Sequence, residues 1–226
     1  MTKTALITGA SRGIGLAFVQ HYKSQGWRVI ATARDVAAAK QLQQLEPSKL
    51  VSLDTRDENS ILQLAEQLTD EAIDVVINNA GIDNHGSLET TTKASILEEF
   101  EVNSVGSFLV TRAFLPNLKA AVERSGSAVV AQITSRMASI TDNTAGGSYG
   151  YRASKTALNM LNSCLSVDFK NHGVIALALH PGHVTAAMTS QAGLDESVVG
   201  LAQIIENATM EDTGKFFHSQ GEVLSW

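Results

Sequence analysis

The sequence predicts an α/β fold: a doubly wound, Rossmann-type parallel sheet with helices on both faces, formed by one domain over residues 1–226. Short apolar and β-branched runs recur along the chain, and stretches with the spacing of amphipathic helices lie between them. Alternation of strand and helix requires long crossovers, which join parallel strands and place helices on both faces of the sheet. Only three prolines occur, and no Ser/Gly/Pro-rich tract divides the chain into separate domains.

Each element is predicted in turn from these two patterns. Continuous apolar runs indicate buried strands at Thr4 to Thr8, Arg28 to Ala33, Leu50 to Leu53, Ile73 to Asn78, Ala128 to Thr134 and Val174 to His180. Apolar residues three and four positions apart indicate helices at Leu16 to Tyr22, Ile61 to Leu68, Val102 to Val122, Tyr151 to about Asn171 and Glu196 to Ala208.

Composition excludes several classes of protein. Of the 226 residues, 44% are hydrophobic and 18% charged, which supplies a core, and the net charge of −6 disfavours general nucleic-acid binding. A single cysteine, Cys164, excludes an internal disulfide, and no Cys/His cluster has zinc-ligand spacing, so no metal site is expected; His85 and His180 are expected to be structural or solvated. Because no leader-like or ~20-residue apolar stretch is found, we expect a cytoplasmic protein without a membrane or nucleic acid as partner.

A glycine-rich turn follows the first predicted strand. Gly9, Gly13 and Gly15 lie between that strand and a helix, where glycines allow close approach of a pyrophosphate and the helix N-terminus offers free N–H groups. The spacing Gly-x-x-x-Gly-x-Gly differs from the common Gly-x-Gly-x-x-Gly, and an ordinary tight turn is the alternative interpretation.

The end of the second strand predicts which dinucleotide fits the turn. A carboxylate there would bind a ribose 2′-OH and repel a 2′-phosphate, but Arg34 follows the strand and Arg12 lies inside the turn. The two guanidinium groups favour NADP(H) over NAD(H), the alternative being that they are solvated surface residues. Asp54 either contacts the adenine or caps the following helix, for which Asp57 is a second candidate.

Tyr151 and Lys155 are the candidates for chemistry. They are four residues apart and therefore lie on one face of the helix predicted from Tyr151 to about Asn171. An ammonium group near a phenol lowers the pKa of the phenol. Tyr151 is then able to donate a proton to a carbonyl oxygen as a hydride arrives. The alternative is an ordinary solvated helix face; Tyr149 is rejected as the acid because it lies off the face of Lys155.

Several motifs occur together and in a recognisable order. They are Thr8-Gly9-x-x-x-Gly13-x-Gly15, Asn78-Asn79-Ala80-Gly81, Asn103, Ser135, Tyr151-x-x-x-Lys155 and Pro181-Gly182. In this the chain resembles the short-chain dehydrogenase/reductase superfamily, and within it the branch of C-factor and sniffer-type carbonyl reductases. The resemblance implies a cofactor half of about 1–100 and a catalytic half of about 101–226.

The resemblance also implies roles for individual side chains. Tyr151 would be the acid/base, Lys155 would lower its pKa and bind the nicotinamide ribose, and Ser135 would hold the substrate carbonyl, with Thr134 and Ser139 as less favoured substitutes.

Asn103 would bind a water molecule that links Lys155 to solvent, or else makes a polar contact inside a helix. The implied cofactor-binding residues are Gly9, Ser11, Arg12, Gly13, Ile14, Gly15, Arg34, Asp54, Asn79, Ala80, Gly81, Tyr151, Lys155, Pro181, Gly182 and Val184.

One motif departs from the family pattern. Where relatives carry Pro-Gly-x-Val-x-Thr, this chain has Ala186 in place of the threonine that holds the nicotinamide carboxamide. That function then falls to the Val184 backbone or to a shifted Thr185 or Thr189. His183 is either a substrate contact or an exposed loop residue.

A short segment, Thr185 to Asp195, is expected to cover the substrate. It implies an open mouth for small to medium carbonyl compounds, lined by Met137, Ile140, His183 and Met188. The leading functional hypothesis is reduction of a ketone, aldehyde or quinone by NADPH, in a homodimer or homotetramer joined through the helices at 102–122 and 151–171. The alternatives are an NADP(H)-binding signalling protein of the C-factor type and the oxidation of an alcohol by NADP+.

Overall fold

The protein contains a seven-stranded, wholly parallel sheet in the order β3-β2-β1-β4-β5-β6-β7. The computed structural model describes residues 2–182 and 191–226, with the side chains of 191 and 192 left aside. The strands are β1 Thr4–Ile7, β2 Arg28–Ala33, β3 Lys49–Ser52, β4 Val75–Asn78, β5 Ala128–Ile133, β6 Val174–His180 and β7 Phe216–His218. This order confirms the predicted doubly wound, Rossmann-type sheet.

Helices connect the strands and cover both faces of the sheet. The α-helices are α1 Gly13–Ser24, α2 Lys40–Gln44, α3 Glu58–Gln67, α4 Lys93–Phe100, α5 Ser107–Ala113, α6 Leu115–Ser125, α7 Tyr149–Asp168 and α8 Gln191–Asn207. A π-helical segment, Glu101–Gly106, joins α4 to α5, and 3₁₀ turns lie at Arg136–Ala138, Lys170–His172 and Met210–Asp212. None of the helices in the described ranges is long and apolar enough to cross a membrane.

The alternation of side chains along the strands divides the core into two layers. On one face Ile7 and Ile77 pack against α1 and α8, and on the other Leu6 and Val76 pack against α3, α5, α6 and α7. Strands β1, β4, β5 and β6 are buried along their whole length, which is why their sequences read as continuous apolar runs.

The seventh strand was not predicted from the sequence. Phe216–His218 has three residues and lies between Gly214 and the Ser219–Gly221 turn, so it carries no periodic signal. It forms because β6 supplies a pairing edge, with Ala178 opposite Phe216, and because the Phe216 ring stacks on Trp226 at a centroid distance of 5.4 Å.

Helices α2 and α4 were not predicted, and two of the predicted helices differ most from the observed bounds. The predicted helix at 102–122 is broken into the π-helical segment and two α-helices that meet at Phe114, where α6 begins with Leu115-Pro116 and proline has no N–H to donate. The helix predicted from Glu196 begins at Gln191, five residues earlier than expected.

Candidate active site

A cleft of about 820 Å³ opens at the carboxyl ends of the central strands. Its walls include Asn79 after β4, Ile133 to Ser135 at the end of β5 and His180 to Gly182 at the end of β6, and Ile14 borders it at the start of α1. Ligands of open parallel sheets bind at this edge, beside the point where the strand order reverses. Here that point lies between β1 and β4.

The glycine-rich turn after β1 is packed against the segment after β4. A Cβ atom at Gly9, whose φ is +63°, would lie 2.8 Å from the Cα of Ala80, and one at Gly15 would overlap the carbonyl oxygen of Gly9. The side chain of Asn79 donates hydrogen bonds of 3.0 Å to the carbonyls of Thr8 and Gly9. These contacts explain why glycine is required at positions 9 and 15.

The N-terminus of α1 is suited to an anion. Arg12 occupies the capping position in an extended conformation, no side chain caps the helix, and no acidic residue lies in its first turn. A Cβ at Gly13, with φ of +56°, would meet nothing within 4 Å, so the backbone there borders open space, and Ser11 beside it is half-buried. An uncapped helix N-terminus with its positive dipole end exposed in this way attracts phosphate.

The residues predicted to select the dinucleotide lie beside this turn. Arg12 and Arg34 are both exposed, and neither guanidinium forms an ion pair with any residue that the structure describes. Asp57, not Asp54, caps α3, accepting a hydrogen bond from the Asn59 N–H. Burial tends to raise the pKa of Asp54, but hydrogen bonds from Arg56 outweigh it and hold that pKa below its usual value.

Lys155 is buried beneath the cleft, on the face of α7 that meets the end of β5. Its side chain is 4% exposed, and its Nζ donates a 2.8 Å hydrogen bond to the Ile133 carbonyl. Burial lowers the pKa of Lys155 to about 8. The Nζ atom also lies 5.9 Å from the centroid of the Tyr151 ring, so the predicted placement of both side chains on one helix face is observed.

The pKa of the Tyr151 phenol is raised. Burial raises its pKa to about 12, with a smaller opposing effect from a hydrogen bond to Ser135 and further raising by the charges of Asp83 and Glu99. The predicted lowering of this pKa by Lys155 is therefore wrong for this structure. The ammonium group lies 5.9 Å from the ring centroid and donates its hydrogen bond to the Ile133 carbonyl.

Ser135 is the hydroxyl residue that meets Tyr151. It caps the 3₁₀ turn after β5, where its Oγ accepts a 3.1 Å hydrogen bond from the Met137 N–H. The two substitutes considered from the sequence are engaged elsewhere: Thr134 Oγ1 donates to the Lys155 carbonyl, and Ser139 Oγ accepts from the Asp142 N–H.

Comparison with known proteins identifies the family to which this chain belongs. The model of the short chain dehydrogenase family matches residues 3–197. The chain belongs to this family. Within the family, it is 38% identical to the C-signal of Myxococcus xanthus over 161 residues, which cover 68% of this chain and 93% of the relative.

Two solved structures of carbonyl reductases are similar to this dehydrogenase over its whole length. The NADPH bound carbonyl reductase from chicken fatty liver is 35% identical, with a TM-score of 0.90 and coverage of 100% of this chain and 99% of that one. The carbonyl reductase Sniffer of D. melanogaster is 28% identical, with a TM-score of 0.92 and coverage of 100% of both chains. The resemblance to the C-factor and sniffer-type branch is thereby confirmed, and the chain is an oxidoreductase of this family.

Asn103 lies in the π-helical segment of this dehydrogenase and is fully buried. Its side chain accepts a hydrogen bond from the Ile82 N–H and donates to the Ile82 carbonyl and to Ser154 Oγ, at 2.8 to 2.9 Å. The structure thus shows the polar helix-interior contact, and the role of a water carrier stays a prediction. A Cβ at Gly81 would lie 3.1 Å from Asn103 Oδ1 and 3.4 Å from Lys155 Nζ, so these residues are close neighbours.

The last predicted motif is described only in part. Pro181 and Gly182 line the cleft, and Gly182 has a φ of +85°. The interpretations of His183, Val184, Thr185, Ala186, Met188 and Thr189 fall outside the described residues. Met137 lines the cleft as predicted, whereas Ile140 is 76% exposed and is not part of its wall.

The rim of the cleft contains polar and ionisable residues that were not assigned to the site from the sequence, where His85 and His180 were expected to be structural or solvated. Asp83, His85, Arg136 and Arg152 line it, together with the buried His180. They come from four separate segments, so no spacing in the sequence relates them. The position of Asp83 and His85 directly after the Asn78 to Gly81 motif is the one signal that was available.

Proposed function

We propose that this short-chain dehydrogenase is an NADPH-dependent carbonyl reductase with Tyr151 as its general acid. The observation that carries the proposal is that Ser135, Tyr151 and Lys155 line one and the same cleft. The carbonyl reductases to which the chain is similar support the same reaction, and one of them is bound to NADPH.

The described residues fit NADP(H). The uncapped N-terminus of α1 would take the pyrophosphate, and Arg12 and Arg34 would pair with the 2′-phosphate through charge-assisted hydrogen bonds. The residue directly after β2 is Arg34 and not an acid that would repel that phosphate, and the next residue, Asp35, accepts a hydrogen bond from the Ala38 N–H. Lys155 would bind the nicotinamide ribose, and Pro181 and Gly182 would border the nicotinamide.

The protonation states in the cleft suit reduction. When bound, NADPH supplies the hydride that adds to the carbonyl carbon. Ser135 would hold the carbonyl oxygen, and Tyr151 would donate its proton to that oxygen as negative charge develops. A phenol whose pKa lies near 12 is protonated at neutral pH and therefore has a proton to donate.

The cleft favours carbonyl compounds of small to medium size. Its volume of about 820 Å³ must accommodate both the nicotinamide end of the cofactor and the substrate. Met137 offers an apolar contact, while Asp83 and Arg152 make the rim polar.

The proposal is tested by binding and turnover with the purified protein. NADPH and NADH are titrated separately, and oxidation of each is followed against ketones, aldehydes and quinones. We expect carbonyl-dependent turnover with NADPH preferred, and Arg34→Ala should lose about tenfold or more in NADPH affinity with little change for NADH, because one charge-assisted contact is lost. Tight NADPH binding without turnover across the panel would contradict the reductase and favour the signalling function suggested by the similarity to the C-signal.

We also propose that the protein forms a homodimer or homotetramer through α5, α6 and α7. Met160 and Val167 on α7 are 64% and 72% exposed, which leaves apolar surface on this helix. Light scattering of the purified protein should give the mass of two or four chains, and a monomeric mass would contradict this proposal.

A further inference from the structure

Glu99 is a buried acid that the proposed reaction does not use. It is the one residue of α4 that is buried, with 3% exposure, and α4 packs against α7, which carries Tyr151. Acidic side chains are seldom buried without a specific partner. The contacts of Glu99 therefore indicate what this carboxyl group holds in place.

The carboxyl group joins two parts of the cleft. Its Oε1 accepts a 2.8 Å hydrogen bond from the Asn84 N–H, in the segment that contributes Ile82 and Asp83 to the cleft wall. Its Oε2 lies against Gly150, the residue before Tyr151. A Cβ at Gly150 would overlap Oε2, so position 150 is a glycine because the carboxyl group occupies the space of a side chain.

The same segment reaches the start of α7 by a second contact. Ser148, which precedes the helix with a φ of 44°, donates its N–H to the Gly86 carbonyl at 2.8 Å. Segment 82–86 is thus connected to the beginning of α7 by two contacts. One is made through the Glu99 carboxyl group, which bonds the Asn84 N–H and lies against Gly150, and the other is the Ser148–Gly86 hydrogen bond.

The surroundings of Glu99 raise the pKa of its carboxyl group. Burial raises its pKa, the Asn84 hydrogen bond opposes this, Asp83 and Glu98 raise it further, and His85 lowers it. In turn, the charge of Glu99 is one of the effects that raise the pKa of Tyr151.

We propose that Glu99 is a positioning residue for Tyr151: its buried carboxyl group holds the cleft segment 82–86 against the first turn of α7. This inference rests on the proposed function, because the reaction is what the positioning serves. Loss of the anchor moves the wall of the cleft relative to the phenol, and misplacement by about 1 Å costs up to about a hundredfold in rate.

Three variants test the anchor. Glu99→Ala removes both contacts of the carboxyl group, whereas Glu99→Gln keeps an oxygen that accepts a hydrogen bond from the Asn84 N–H. Glu101→Ala is the matched control, because Glu101 is an exposed acid two residues away on the π-helical segment. We expect kcat for carbonyl reduction to fall about ten- to a hundredfold in Glu99→Ala, with the Kd for NADPH unchanged because the glycine-rich turn is not touched. Glu99→Gln should recover most of kcat, and its pH profile should shift towards lower pH because a negative charge near Tyr151 is lost.

Hydrogen exchange gives a readout that needs no turnover. The Asn84 and Ser148 amides should lose protection in Glu99→Ala and keep it in Glu99→Gln and Glu101→Ala. Unchanged protection of both amides in Glu99→Ala, or equal kcat in Glu99→Ala and Glu101→Ala, would overturn the inference. A wild-type protein without carbonyl-dependent turnover would instead overturn the proposed function, and protection at Asn84 would still decide whether the anchor exists.

Gly150→Ala tests the same contact from the side of α7. The added methyl group meets Oε2 of Glu99 and lies 3.1 Å from the Cα of Ile96, so we expect kcat to fall in the wild-type background. In the Glu99→Ala background the overlap with Oε2 is absent, so Gly150→Ala should lower kcat clearly less than it does in the wild type. Additive effects of the two substitutions would contradict the contact on which the inference depends.

Discussion

Replacing Lys155 with methionine should make the unfolding free energy less dependent on pH. In the folded chain burial lowers the pKa of Lys155 to about 8 from its ordinary value of 10.5. At about 1.4 kcal/mol for each pKa unit, this difference corresponds to about 3 kcal/mol. Because the unfolded chain binds the proton more tightly, the wild type is penalised below pH 8, and its stability rises as the pH goes from 8 to 10.5.

Methionine removes this titration and also one hydrogen bond. The Ile133 carbonyl loses its 2.8 Å bond from Nζ, which costs about 1 kcal/mol at every pH. Lys155→Met should therefore be more stable than the wild type by about 2 kcal/mol near pH 7 and less stable by about 1 kcal/mol above pH 10.5.

Urea unfolding of both proteins from pH 6 to pH 11 measures this difference, and the exposed Lys170→Met serves as the control. A difference between Lys155→Met and the wild type that stays constant over this range would refute the burial of a titrating ammonium group.

Three further substitutions test the glycine-rich turn and the cap of α3. Gly15→Ala places a methyl group over the Gly9 carbonyl and 2.6 Å from Asn79 Nδ2, so it should open the turn. We expect the affinity for NADPH, measured by calorimetry, to fall at least about tenfold. Unchanged affinity would contradict a pyrophosphate site at this turn. Asp57→Ala should lower the unfolding free energy by about 1 kcal/mol, because the cap of α3 is lost. Asp54→Ala should lower it by less, because Asp54 does not cap the helix and pairs with the exposed Arg56. The opposite order in urea unfolding would show that the cap is misassigned.

The sheet could be predicted from the sequence because its central strands are buried on both faces. Strands β2 and β6 match the predicted bounds at both ends, since every residue of the two strands except Arg28 is buried. Strand β7 could not be predicted, because three residues carry no periodicity and their conformation depends on pairing with β6. The break between α5 and α6, in contrast, has a local signal in the sequence, because Pro116 lies in the first turn of α6.

The candidate site was predictable where its residues form local motifs. The spacing of Tyr151 and Lys155 placed them on one helix face, and the position of Ser135 after a strand placed it at the same edge of the sheet. The direction of the Lys155 ammonium group towards the Ile133 carbonyl depends on a strand in another part of the chain, so the predicted effect on the phenol was wrong. Glu99 carried no sequence signal, because an acid on an amphipathic helix is normally solvated.

The transfer of deuterium from NADPH to a carbonyl substrate tests the central claim most directly. NADPH is deuterated at C4 of the nicotinamide, separately on each face, and the alcohol formed from an accepted ketone or aldehyde is analysed by mass spectrometry and NMR. We expect deuterium on the former carbonyl carbon from one face alone, with the product lost in Tyr151→Phe and kept in Tyr149→Phe, whose side chain is 42% exposed. Alcohol without deuterium from either face, or equal product from Tyr151→Phe and the wild type, would contradict it.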